Sequence, residues 1–136
     1  METKNSEAFV KKIQGWLGYK NLKTVEHVGT SGGLAIFWKD NLLVDFLFVD
    51  KNIIDMKVCD GVKSWLVSCV YGDLVTSLRP LVWDKIYSFG RSRSEAWFMI
   101  GDFYAILSND EKLGGPVREL SSFIPFQSFL ENCDVT

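Results

Sequence analysis

Histidine is nearly missing from this chain, with His27 the only one, and cysteine is sparse: Cys59, Cys69 and Cys133 are odd in number and far apart. That spacing builds neither a disulfide framework nor a zinc site, and three thiols packed as small apolar groups in a reducing compartment is the plain reading. An excess of positive charge is missing too. Fifteen Lys and Arg against 17 Asp and Glu leave a net charge of −2, so no global field draws the chain to nucleic acid or anionic lipid. Any phosphate contact has to be local. No apolar run approaches the length of a membrane helix. Glu2, Lys4 and Glu7 precede the first apolar residues where a secretory signal would need them, so no membrane partner is expected and the expected location is intracellular, cytoplasmic or nuclear. The final Cys133-Asp134-Val135-Thr136 has Asp134 where a prenylation box needs an aliphatic residue, and no polybasic segment precedes it. Lipidation is not expected.

What is present is the composition of a folded protein. Hydrophobic residues make up 47% and aromatics 14% of 136 residues, with no internal repeat or low-complexity tract, which predicts one domain over 1–136. A chain of that length can bury about two thirds of its unfolded surface. From Asn5 to Gly18, Phe9, Val10, Ile13, Trp16 and Leu17 recur at helical spacing, with Asn5 or Ser6 as cap and Gly18 as stop, and Lys11, Lys12 and Gln14 on the other face. Strand-like runs follow at Leu22 to Val28, Leu34 to Lys39, Leu42 to Val49, Ile53 to Val58 and Ser64 to Tyr71. Asp60-Gly61 between the last two predicts an antiparallel hairpin, Asp40-Asn41 a tight turn, and Gly29 to Gly33 a flexible turn rather than a phosphate cradle, because a strand and not a helix follows it.

Leu78, Leu81, Val82, Ile86 and Phe89 predict a second helix, with Ser77 as cap and Pro80 in its first turn, and Gly90 to Ser94 is a short basic loop carrying Arg91 and Arg93. The run from Trp97 to Ile100, ended by Gly101-Asp102, reads as a buried strand that delivers a carboxylate to a sheet edge. Ala105 to Ser108 reads as a helical turn and Asn109 to Leu120 as a polar loop. A last helix is predicted with Ser121 or Ser122 as cap and Phe123, Phe126, Phe129, Leu130 and Cys133 on its buried face.

Five segments occur in a telling order: Glu2-Thr3-Lys4, Ser31-Gly32-Gly33-Leu34-Ala35, Val70-Tyr71-Gly72, Gly101-Asp102-Phe103 and Glu111-Lys112-Leu113-Gly114-Gly115. In these, over essentially its whole length, the chain resembles the endonuclease/exonuclease/phosphatase family. More narrowly, it resembles the endonuclease domain of plant LINE-type retrotransposon polyproteins. The resemblance implies an α+β fold, an incomplete four-layer α/β/β/α sandwich of the DNase I-like kind with mixed, largely antiparallel sheets. It implies Glu2 as the ligand of magnesium or manganese, Tyr71 as contributing a hydrogen bond near the scissile phosphate, and Asp102 as the group that orients or deprotonates the attacking water.

The departures carry as much as the matches. Tyr104 stands where the family's Gly-Asp-Phe-Asn segment has asparagine, which removes an amide donor. The family's first strand and its closing Ser-Asp-His segment have no counterpart, and His27 lies in the wrong part of the pattern to replace that histidine. The chain therefore reads as a family domain truncated at both ends: a degenerate, inactive fragment of a metal-dependent endonuclease, kept as a binding module. The alternatives are an active Mg-dependent endonuclease that nicks DNA, and a small-substrate phosphatase whose basic pocket would draw on Arg79, Arg91 and Arg93. The partners expected are nucleic acid through the local basic loops and a second copy of the chain through exposed sheet edges.

Overall fold

In a computed structural model, which describes residues 5–28 and 31–133, the chain is α+β: three helices, a two-stranded antiparallel sheet and a four-stranded mixed sheet. The chain divides into two compact units. The first runs up to Tyr71 and adds Ser94–Gly101, and the second comprises Gly72–Arg93 and the chain from Asp102 onward.

The first unit begins with α1 (Glu7–Leu17), which starts where the Ser6 hydroxyl accepts from the Phe9 amide at 3.4 Å and ends at Gly18 with φ 73. A left-handed residue at that place terminates a helix, and glycine takes it without strain. Only Val10 of α1 is buried; Trp16 and Leu17, expected on the inner face, are exposed. Strands β1 (Asn21–Val28) and β2 (Ser31–Trp38) pair antiparallel with Asn21 opposite Trp38. The alternation of side chains along β2 gives this small sheet two contacts. Phe37 stacks with Tyr19 just beyond α1, while the next residue, Trp38, points to the other side and meets Phe46 edge-on at 5.7 Å. Within this unit, α1, the two-stranded sheet and the larger sheet therefore form three successive layers.

The larger sheet has the order β3-β4-β5-β6, with β3 at Leu43–Val49, β4 at Ile53–Cys59, β5 at Ser64–Tyr71 and β6 at Trp97–Asp102. The hairpin expected from Asp60-Gly61 is present, with Ile53 opposite Val70 and Cys59 opposite Ser64. Its turn is held by the Asp60 carboxylate, which accepts from the amides of Val62 and Lys63. Those N–H groups, Lys63 first, hold the carboxyl below its ordinary pKa. Ile53, Ile54, Asp55 and Met56 are all buried, so β4 is covered on both faces. Backbone contacts advance together along β5 and β6, from Leu66 N with Ala96 O at 2.8 Å to Gly72 N with Asp102 O at 2.7 Å, so these two strands run parallel. The helix expected between them is present.

In β6 the expectation needs correction. Among the described residues it is the last strand of its sheet, and it is not buried: Phe98 and Ile100 are 59% and 63% exposed. An unbroken apolar run does not by itself distinguish a strand covered on both faces from an edge strand left open on one.

In the second unit, a 3₁₀ turn at Thr76–Leu78 leads into α2 (Arg79–Gly90), with Pro80 in its first turn. Ser77 caps nothing there, and the buried side chains are Val82, Trp83 and Ile86, while Leu81 faces solvent. Ala105 to Ser108 is not helical; the turn of helix lies at Asn109–Glu111. The last helix, α3 (Ile124–Asn132), follows a 3₁₀ turn at Leu120–Ser122, and Phe123, Phe126 and Phe129 are buried as expected. Neither serine caps it. The Ser122 hydroxyl instead donates to the Glu119 carbonyl at 2.7 Å. Trp83, Phe103, Phe126 and Phe129 make the core of this unit, with ring centroids 5.2 to 6.1 Å apart. No helix among the described residues is long and apolar enough to cross a membrane.

Candidate functional site

The strands β5 and β6 end together because two glycines let them. At Gly101, φ is 151 and an added Cβ would stand 1.8 Å from the Val70 carbonyl oxygen; at Gly72 it would stand 2.5 Å from the Phe103 carbonyl oxygen. Both distances are far inside van der Waals contact, so the closeness of the two backbones requires glycine at each position. The chain leaves β5 through Tyr71-Gly72 and leaves β6 through Gly101-Asp102 at this same end of the sheet.

Tyr71 is buried, at 5% exposed, and its backbone is pinned by Asn52. The Tyr71 N–H donates to the Asn52 carbonyl at 2.7 Å, and the Asn52 side-chain amide donates back to the Tyr71 carbonyl at 2.8 Å. Asn52 in turn sits on the turn before β4, where the Asp50 carboxylate accepts from the amides of Asn52 and Ile53. Asp102 is exposed, and one of its oxygens, Oδ1, accepts from the Tyr104 N–H at 2.9 Å. This is the local turn that Asp makes with the backbone two residues on.

That turn carries Tyr104 into the left-handed region at φ 53, and Tyr104 is the one described residue other than glycine with positive φ. For an ordinary side chain the region costs about 1 kcal/mol or more, and asparagine tolerates it best among residues with a side chain. The Tyr104 ring lies beneath Arg79, whose guanidinium carbon is 5.7 Å from the ring centre. Arg79 is further held by its Nε donating to the Asp73 carbonyl at 2.9 Å and its Nη2 to the Leu74 carbonyl at 3.2 Å. Asp73, 9% exposed, accepts from the Val75 amide through its carboxylate.

Of the residues singled out in the sequence, Asp102, Tyr104 and Arg79 share the second unit, Tyr71 closes the first, and Glu2 lies outside the described residues. Among the described residues no three His, Cys, Asp or Glu side chains converge as a metal site would need. His27 is exposed on β1. In the basic loop, Arg93 covers the Phe89 ring at 5.2 Å and Arg91 is exposed.

One polar group escaped sequence reasoning. Asp55 and Ser68, 1% and 0% exposed, face each other across β4 and β5; the Ser68 hydroxyl donates to Asp55 Oδ1 at 2.5 Å and accepts from Trp97 Nε1 at 2.9 Å. The signal was Asp55 in the middle of an apolar run, opposite a serine that alternates with the buried Leu66 and Val70. Buried polar groups are kept only when they are bonded, and these three side chains tie together β4, β5 and β6.

A scan against protein-family models finds no match for the chain, and a search of curated proteins finds none with significant similarity.

Proposed function

We propose that this chain is a degenerate, non-catalytic relative of the endonuclease domains of plant LINE-type retrotransposons, and that it acts by binding and not by phosphodiester hydrolysis. The observation that carries the reading is the left-handed backbone of Tyr104. It falls two residues beyond Asp102, where the family's Gly-Asp-Phe-Asn segment has asparagine, the side chain such a backbone favours. A loop shaped for asparagine that later received tyrosine accounts for the strain. The succession of α1, a two-stranded sheet and a mixed four-stranded sheet agrees with one side of a DNase I-like sandwich.

The chemistry is what the substitution removes. In the family reading the asparagine amide stabilises charge on the phosphate, and losing one such donor costs on the order of a hundredfold or more in rate. Here a phenol covered by Arg79 occupies the position. Arg79 is committed to that ring and to two backbone carbonyls, which argues against the phosphatase reading with Arg79 as a phosphate ligand. The exposed Arg91 in the loop after α2 leaves local contact with nucleic acid as the binding role that agrees with this descent.

The test is nicking of supercoiled plasmid in magnesium or manganese by the wild-type chain, by Asp102→Ala and by Tyr104→Asn. The expected result is no nicking by the wild type beyond that of Asp102→Ala. Wild-type nicking that Asp102→Ala abolishes overturns the reading in favour of an active endonuclease.

A further inference from the structure

We propose that β6 is the contact through which two copies of this chain associate, pairing antiparallel about a two-fold axis at Met99. The larger sheet presents one continuous face through Phe46, Met56, Val58, Val67 and Trp65, residues that stand opposite one another across β3, β4 and β5. Over β3 and β4 this face is sealed by the two-stranded sheet: Trp38 packs on Phe46, Lys23 lies over the same ring at 5.4 Å, and Met56 and Val58 are buried. Two strands do not cover four. Over β5 and β6 the same face stays open as a cleft of about 490 Å³, lined by Lys63, Ser64, Trp65, Val67, Ala96 and Phe98. Phe98 and Ile100 stand out of it more than half exposed.

The edge and the face are uncovered at the same strand. Among the described residues β6 is the end of its sheet, and Trp97-Phe98-Met99-Ile100 has no Lys, Arg or Pro, the residues that ordinarily discourage edge pairing.

The sequence of β6 selects a second copy as the occupant because it is complementary to itself. With the axis at Met99, Phe98 of each copy lies opposite Ile100 of the other on the open face, an aromatic and β-branched pair of the kind that stabilises antiparallel ladders. On the opposite face Trp97, whose indole donates to Ser68 within its own sheet, stands opposite Gly101, where no side chain competes for space. Asp102 lies opposite Ala96, and Glu95 opposite Phe103. Glu95 already has its cation, since Lys57 Nζ is 2.6 Å from its carboxylate, so the pairing opposes no like charges. One contact thereby continues the ladder and buries the exposed pair of side chains on both copies.

The experiment is sedimentation and light scattering of the full chain over a wide concentration range, with Ile100→Lys and Phe98→Thr as variants and Leu81→Lys, on an exposed position of α2, as control. The expected result is a reversible dimer of twice the 15.5 kDa chain, unchanged in Leu81→Lys. In Ile100→Lys the dimer is weakened about a hundredfold or more, because two ammonium groups are brought to the pairing surface. Phe98→Thr keeps a strand-forming residue and serves if the lysine variant fails to fold; it also weakens the dimer. A wild type that remains monomeric throughout, including one that binds a hydrophobic dye while monomeric and so leaves the face to a different partner, overturns the proposal. So does a dimer or larger species that both β6 variants leave intact.

Discussion

Gly101→Ala is expected to lose most of the protein's stability, on the order of 4 kcal/mol or more, because no small adjustment admits the new methyl. The added carbon falls 1.8 Å from the Val70 carbonyl oxygen and 2.9 Å from the Val70 nitrogen, and both are backbone atoms of a neighbouring strand. Relief requires β5 and β6 to part at the end where they deliver Tyr71-Gly72 and Asp102. The φ of 151 adds a second cost, since a residue with a side chain rarely adopts it. Gly15→Ala is the matching control. It lies in α1 with no heavy atom within 4 Å of the added carbon, and there alanine is expected to stabilise by roughly 0.5–1 kcal/mol through helix propensity. Urea unfolding followed by circular dichroism compares the two. A Gly101→Ala variant within about 1 kcal/mol of wild type contradicts the close approach of the strands.

Ser68→Val is expected to cost roughly 2–4 kcal/mol although it raises β propensity, because it removes the hydroxyl and brings one more heavy atom into a fully buried position. The hydroxyl is fully buried and serves two partners at once, donating to Asp55 and accepting from the Trp97 indole. Removing it takes one bond from a carboxyl group 1% exposed and one from an indole in the next strand. A buried polar group that loses one of its hydrogen bonds keeps its desolvation cost without that compensation. Asp55→Val together with Ser68→Val is expected to recover part of the loss, since replacing both partners by apolar groups removes the mismatch. A double-mutant cycle by denaturant unfolding measures the coupling. Strict additivity of the two substitutions contradicts a direct interaction between them.

The hairpin of β4 and β5 was legible because Asp60-Gly61 sits between two β-rich runs and fixes its register locally. Strand β6 was legible as a strand but not as an edge, since exposure depends on what lies beside it and the run itself carries no such information. The helices show the same limit. In α1 and α2 the apolar residues are at helical spacing, yet Trp16, Leu17 and Leu81 face solvent while Trp83 is buried, because the face that a helix turns inward is set by its partners. The serines near α2 and α3 were read as caps from composition alone, and in both cases a 3₁₀ turn precedes the helix instead. For the candidate site, Gly101, Asp102 and Tyr104 stood out in the sequence. The reason Gly101 must be glycine and the strain on Tyr104 required φ angles and the neighbouring backbone.

Under the proposed function, Asp102 keeps the place of a catalytic aspartate without its metal chemistry. Titration of isotopically labelled protein with manganese, read as paramagnetic broadening of backbone amides, tests it most directly. The expected result is that Asp102 and Tyr104 broaden no earlier than residues beside an exposed carboxylate of α2, Asp84. Selective broadening around Asp102 at manganese concentrations that leave Asp84 untouched, abolished by Asp102→Ala, would contradict it.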